Sequence, residues 1–412
     1  MSLDASTPKR RHHLVATLSN RDYRLFISSR FCSTTATNLF DAAVAWQVYE
    51  ISGSALQLGV LGLVRFLPSL GLSLFGGVLA DRYDRRKIIL STKPLLLLLS
   101  AWLFFVTFSG TAQLALIYGL VLAFKLIAAL EQPAGQSLLP LLVPRENFAT
   151  AVTLNSALVQ LSAAVGPAVA GFVIAASGIA AAYVVYMALL VASLLLLLLV
   201  RLRHKPSERS ALSLAAIGEG IKFVRNNQVL LGAMSLDMFS VIFAGAQALL
   251  PIYAKEILHV GPSGYGLLNS SQAVGAFFTS LTLAVLPPIR NTGRALLIGV
   301  ACFGLTTIFF GFSTSFPLAL FFYTLSGIAD QINVVTRRTT IQIVSPDHLR
   351  GRISSISSIF VGASNHIGML ESGLVAAVAG PVFSVVSGGV GCLVVVAVIA
   401  ARMPELRRYR MV

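Results

Sequence analysis

Apolar stretches dominate the chain, and short clusters of charge, glycine or proline punctuate them. Leu95 to Phe108 and Ala180 to Val200 carry no charge, and several other stretches reach about 20 residues with one charge or none, enough helix to cross a hydrocarbon core of ~30 Å. Marking the stretches between punctuation predicts spans at roughly 24–50, 55–80, 88–108, 113–137, 150–177, 179–201, 229–254, 264–289, 293–313, 316–338, 353–378 and 380–402. Lipid offers no partner for backbone N–H and C=O groups, so such spans have to be helices. The expected fold is an all-α polytopic membrane protein with twelve transmembrane helices.

Composition agrees with this pattern. The 412 residues are 56% apolar and 11% charged, whereas soluble domains run near 45–50% and about 25%. A soluble enzyme, a disulfide scaffold and a disordered chain are excluded. Cys32, Cys302 and Cys392 all fall in apolar stretches and are read as small packing residues.

The net charge of +15 is explained by topology. With the N-terminus cytoplasmic, all but four of the 31 basic residues fall on the cytoplasmic side: Lys255 lies outside, and Arg30, Arg65 and Lys125 lie within spans. The positive-inside rule then puts both termini in the cytoplasm of a bacterial-type inner membrane. No basic stripe is left for nucleic acid. The basic stretch Lys9 to Arg11 leads into polar residues, so no cleavable signal is expected there.

The longest polar stretch, Arg201 to Asn227, divides the spans six and six. Leu212, Leu214, Ile217, Ile221 and Val224 recur at mostly helical spacing within it and predict an amphipathic helix on the inner leaflet. The expected organisation is a segment 1–23, a six-helix bundle 24–201, a linker 202–228, a second six-helix bundle 229–402 and a tail 403–412. The halves repeat in sequence at an offset of 206 to 207 residues: Tyr49-Glu50-Ile51 and Leu58-Gly59-Val60-Leu61 match Lys255-Glu256-Ile257 and Tyr265-Gly266-Leu267-Leu268. Pro144-Arg145-Glu146-Asn147-Phe148 likewise matches Pro346-Asp347-His348-Leu349. Two repeated halves are the architecture of a secondary transporter with its site near the bilayer midplane.

Gly76-Gly77-Val78-Leu79-Ala80-Asp81-Arg82-Tyr83-Asp84-Arg85-Arg86-Lys87, between the second and third spans, resembles motif A of the major facilitator superfamily. Gly76 and Gly77 let two helices approach closely, and Asp81 can accept hydrogen bonds from a neighbouring helix terminus or arginine. With Arg82, Arg85 and Arg86 this makes a conformational latch, set against a plain basic loop that fixes topology. Gly166-Pro167-Ala168-Val169-Ala170-Gly171 resembles a degenerate form of the antiporter motif C, carried by Gly166, Pro167 and Gly171. The Arg of motif B is absent from the fourth span, where Lys125 stands at mid-span. Leu138-Leu139-Pro140, Leu250-Pro251-Ile252-Tyr253, Gly351-Arg352-Ile353 and Glu405-Leu406-Arg407-Arg408-Tyr409-Arg410 extend the likeness to the branch that holds the enterobactin exporter and related macrolide and multidrug efflux proteins.

Ionisable groups inside a bilayer cost several kcal/mol unless paired or hydrated, which marks them as functional candidates. The spans hold Asp41, Glu131, Asp237, Asp330 and Glu371, the bases Arg65 and Lys125, and His366. Asp41 and Arg65 lie at nearly equal depth in neighbouring spans and are expected to pair, either as a coupling switch or as a static ion pair. Their repeat counterparts Gln247 and Gln272 would form a neutral amide pair. Asp237 reads as a gate or a site. Asp330 shares a helical face with Arg337, which suggests a pair at the inner end, and Glu131 would do the equivalent job. His366 and Glu371 are ~140° apart around a helix and cannot form a metal pair on it. Phe40, Trp46, Tyr49, Phe66, Phe239, Phe243 and Tyr323 could line an amphiphile site or simply pack.

No phosphate-binding glycine loop, Cys/His metal spacing or nucleophile elbow occurs in the sequence, so neither an enzyme nor a cofactor is expected. The expected function is secondary active transport: a proton-coupled exporter, less readily sodium-coupled, of a siderophore-like or other amphiphilic small molecule, acting as a monomer among membrane lipids. The alternatives are a broad multidrug or macrolide efflux pump, a metal-ion transporter, or a non-transporting receptor-like membrane protein.

Overall fold

The computed structural model describes residue 17 and residues 19–82, 85–201, 214–287 and 289–410. The side chains of 69–82, 85–86, 132–134, 136–137, 140–141, 145, 149 and 214–217 are outside that description. Every regular element among the described residues is helical. In chain order they are α1 (Arg21–Ser52), α2 (Ala55–Arg82), α3 (Arg85–Phe108), α4 (Leu114–Leu142), α5 (Phe148–Ser177), α6 (Ile179–Leu198) and α7 (Leu214–Asn226). After these come α8 (Gln228–Phe243), α9 (Gly261–Val285), α10 (Thr292–Phe312), α11 (Phe316–Val344), α12 (Arg350–Ala379), α13 (Pro381–Arg402) and the short α14 (Pro404–Arg408).

Eight stretches among the described residues are long and apolar enough to cross a membrane: Lys87–Phe108, Leu114–Glu131, Thr150–Ser177, Ile179–Leu198, Gln228–Ile257, Thr292–Phe312, Phe316–Val344 and Pro381–Arg402. Phe105, Phe108, Phe172, Leu195, Phe278, Phe312 and Val378 all point outward. Such an apolar exterior is unstable in water and suited to lipid.

The predicted span 229–254 departs from a single helix. α8 ends at Phe243, and Ala246–Leu249 forms a 3-10 turn, Leu250–Ile252 a short α turn and Tyr253–Ile257 a π turn. The local sequence accounts for the break. Gly245 carries no side chain where it meets the backbone of Gly368, and Pro251 brings no backbone N–H to a continuing ladder.

Packing divides the chain into two compact units, Met1–Val44 with Leu67–Arg209, and Ala45–Phe66 with Ser210–Val412. In the first, α3 packs against α4 and α6, and α5 against α6. In the second, α10 packs against α11 and α13, and α12 against α13. Neighbour relations therefore recur between the units, as an internal repeat requires. The repeat extends to the turns. Asn147 donates its N–H to the Pro144 carbonyl (3.0 Å) before α5, and Leu349 to that of Pro346 (2.9 Å) before α12. Gly178 (φ 82°) joins α5 to α6 and Gly380 (φ 91°) joins α12 to α13, a backbone region that favours glycine.

The end of α1 and the start of α2 pack with the second unit. Trp46 stacks on Tyr265 (5.4 Å) and Tyr49 donates to Glu256. Gly59 meets Gly373 so closely that a Cβ on Gly373 would lie 2.7 Å from the Gly59 Cα. In the linker, the predicted amphipathic helix is present as α7. Val224 and Gly220 face the core, Gly220 lying against Ile356, and Glu219 is ion-paired to Arg352.

Candidate functional site in the membrane helices

The first unit holds two charged pairs. Asp41 lies eleven residues before the end of α1, and Lys125 eleven residues after the start of the antiparallel α4. At ~1.5 Å rise per residue both are ~17 Å from the same helix ends. The Lys125 ammonium is 2.8 Å from each Asp41 carboxylate oxygen, and the two side chains stay 18% and 29% exposed. Next to Asp41 in sequence, Phe40 stacks face to face on Phe124 (4.2 Å, 11°), with Tyr183 and Tyr186 tilted against it at 5.9 and 5.2 Å. A water-accessible carboxylate–ammonium pair thus stands beside an aromatic wall. Arg65, the partner expected for Asp41, lies on α2 within Ala45–Phe66 of the second unit.

The second pair joins Glu131 of α4 to Lys93 of α3. Lys93 Nζ is 3.2 Å from Glu131 Oε1 and donates to Ser33 Oγ at 3.0 Å, while Thr92 Oγ1 donates to the other Glu131 oxygen at 3.2 Å. Lys93 is almost wholly buried, which corrects its count among the basic residues of the cytoplasmic side. Its place within the predicted span 88–108 was the signal for an interior charge.

In the second unit, Asp237 of α8 is buried against Arg337 of α11, with Arg337 Nε 3.2 Å from Asp237 Oδ1. Asn333 Nδ2 donates to the same oxygen at 3.0 Å, and Arg337 Nη1 donates to Ser357 Oγ of α12 at 3.0 Å. This corrects two expectations. Arg337 is an interior residue, and its ion-pair partner is Asp237 on another helix. Asp330 keeps its place on the Arg337 face, half-buried and within electrostatic range of both Asp237 and Arg337. Asn333 was not singled out from sequence, although its spacing of four from Arg337 puts both on one helical face.

The other expected residues are more dispersed. Gln247 is exposed in the broken stretch after α8, and its amide donates to Asn269 Oδ1 (3.4 Å), one turn from Gln272 on α9, so the expected amide pair is replaced by Gln247 with Asn269. Gln272 is half-buried, with its backbone carbonyl against Gly327. His366 of α12 tilts against Phe66 at 5.7 Å, and Glu371 accepts from Ser372 Oγ at 3.4 Å. Tyr323 joins a stack with Phe310 and Tyr253.

Gly166 lies where a Cβ would sit 2.6 Å from Asn38 Cβ and 2.8 Å from the Thr35 carbonyl, so α5 rests directly on α1. Pro167 and Gly171 are buried in the same helix. The turn of motif A falls at the α2–α3 junction. Its residues Gly76, Gly77, Asp81, Arg82, Arg85 and Arg86 have helical backbone but side chains outside the described set, and Tyr83 and Asp84 are outside it altogether. No cluster of three or more His, Cys, Asp or Glu side chains that could hold a metal occurs among the described residues.

Relatives and solved structures resemble the chain along nearly its whole length. It is 26% identical over 389 residues to the enterobactin exporter EntS of Shigella boydii, covering 94% of this chain and 93% of that one. The EntS proteins of Escherichia coli and Citrobacter koseri match to the same extent. Its fold superposes on a POT family transporter bound to 5-aminolevulinic acid (TM-score 0.74, 14% identity, 94% of this chain and 97% of that one). It also superposes on a bacterial homologue of the lysosomal transporter Spinster (TM-score 0.67, 15% identity, 98% and 97%). The family model described as transmembrane secretion effector matches residues 13–411, and the chain therefore belongs to that family of major facilitator transporters.

Proposed function

We propose that this transporter exports a siderophore-like or other amphiphilic small molecule across the inner membrane in exchange for protons. It would do so by alternating access, with twelve spans in two six-helix halves and both termini in the cytoplasm. The observation that carries the reading is the Asp41–Lys125 pair, because it is partly exposed and borders an aromatic surface. Phe40, Phe124, Tyr183 and Tyr186 suit the apolar part of an amphiphile. Lys125 suits its anionic groups.

Competition supplies the coupling. Protonation of Asp41, or binding of an anionic group to Lys125, each removes one half of the ion pair, so either event favours a different helix arrangement. Asp237–Arg337 is suited to a structural role, since both side chains are buried and Asn333 and Ser357 hydrogen-bond to the pair. Kinship with enterobactin exporters supports export and a siderophore-like cargo.

The test is substrate-driven proton flux in proteoliposomes containing the purified protein, with siderophores, macrolides, cationic dyes and divalent metals offered in turn. Proton movement driven by a siderophore is the expected result. Solute movement without protons removes the coupling, and response to dyes and macrolides alone replaces the cargo with a broad multidrug range.

A further inference from the structure

A second polar cavity lies away from the membrane-embedded charges. It measures about 250 Å³ and is lined by Asn291, Arg294, Arg407, Arg408, Tyr409 and Arg410. Four exposed arginines thus line one small space. Among the described residues, the ion pairs of the second unit go to Asp237, Asp347 and Glu219, and none involves these four arginines. Like charges brought together without a counter-charge repel, so the arrangement implies an anion.

The arginines are held in place by well-packed backbone. Residues 403–410 turn back from the end of α13 onto the start of α10 and α8. Leu406 is fully buried between them. Gly293 donates its N–H to the Tyr409 carbonyl at 3.1 Å, and the Glu405 N–H donates to Gln228 Oε1 at 2.8 Å. A Cβ on Gly293 would lie 1.7 Å from the Leu406 carbonyl oxygen, so only glycine allows this contact. The segment carrying three of the arginines is therefore docked against the bundle and cannot relieve their repulsion by swinging free.

We propose that this cavity binds a phosphate group, as carried by an anionic phospholipid of the adjoining leaflet or by a soluble phosphate ester. Arginine's planar fork matches phosphate oxygens two at a time. The cavity also borders the start of α10, the positive end of that helix's dipole. Position favours the lipid. The cavity sits where two membrane-spanning stretches, Thr292–Phe312 and Pro381–Arg402, both terminate, which is head-group depth. Its volume lies below the ~300–1,000 Å³ that encloses a drug-sized ligand, so a head group fits and an exported amphiphile does not.

The test is native mass spectrometry of the full chain in detergent, titrated with phosphatidylglycerol or phosphatidylcholine. One phosphatidylglycerol should bind at concentrations where phosphatidylcholine does not. The variant R294Q/R407Q/R408Q/R410Q should weaken that binding at least tenfold, while R21Q/R201Q/K222Q/R225Q, which removes as many exposed charges elsewhere, should retain it. Equal loss in both variants, or equal binding of the two lipids, overturns the proposal. Displacement of phosphatidylglycerol by inorganic phosphate or pyrophosphate at millimolar concentration assigns the site to a soluble phosphate. Should the quadruple variant fail to fold, the wild-type protein decides. Phenylglyoxal modification of Arg294, Arg407, Arg408 and Arg410 should slow at least tenfold in phosphatidylglycerol nanodiscs relative to phosphatidylcholine ones, and no slowing overturns the site.

Discussion

The ion pairs of the membrane helices differ in exposure, and this separates their roles. The partly exposed Asp41–Lys125 pair is closer to a surface pair, worth about 0–1 kcal/mol to folding. Asp41→Asn and Lys125→Gln should therefore leave thermal unfolding in detergent nearly unchanged. Each should lower substrate-driven proton flux in proteoliposomes by about tenfold or more, equivalent to ~1.4 kcal/mol on the transport barrier. Wild-type flux in both variants would remove the pair from the mechanism. Asp237→Leu behaves differently, because it leaves Arg337 charged in a dry site. Breaking a buried pair costs about 3–5 kcal/mol, so this variant should melt far below wild type. Asp237→Leu with Arg337→Met should recover much of that loss, since no orphan charge remains. The charged residues themselves were legible in the sequence, because an isolated charge in an apolar run is conspicuous. The contacts of Lys125 with Asp41 and of Asp237 with Arg337 were not, because depth along a helix does not say which helices touch.

At the scale of elements, glycine marks where helices meet backbone to backbone. Gly166 illustrates the point, since α1 occupies the space a side chain would need. Gly166→Leu should force α5 off α1 and cost about 1–3 kcal/mol or more, as overpacking of a filled contact does. Circular-dichroism melting of the detergent-solubilised protein would read the loss, and an unchanged melting temperature would contradict the contact. Helix positions were readable to within a few residues because the hydrophobic period and the punctuating charges are local signals. The broken stretch after α8 was less so. Gly245 and Pro251 were visible, but tertiary contact with Gly368 turns a permissible break into an actual one. Lys93 was counted with the basic residues of the cytoplasmic side although it falls inside the predicted span 88–108, and Glu131 on α4 neutralises it there.

At the scale of the whole molecule, Ala45–Phe66 packs with the second unit through Trp46 on Tyr265, Tyr49 on Glu256 and Gly59 on Gly373. If transport requires this segment to separate from the second unit, joining Gly59→Cys to Gly373→Cys should stop it. In a background lacking Cys32, Cys302 and Cys392, oxidation of that pair should abolish flux and dithiothreitol should restore it. Undiminished flux after complete crosslinking would mean that these helices stay together throughout the cycle. The sequence by itself determined that the chain is helical and membrane-bound, how its helices are spaced, and that its halves repeat. Those properties follow from solvent and periodicity, and each residue contributes to them independently. Only the tertiary structure decided which charges neutralise one another, which unit the end of α1 and the start of α2 join, and that Arg294 meets the arginines of the distant segment 407–410 at one cavity. Such facts depend on which helices are neighbours, and neighbours are chosen by packing across hundreds of residues.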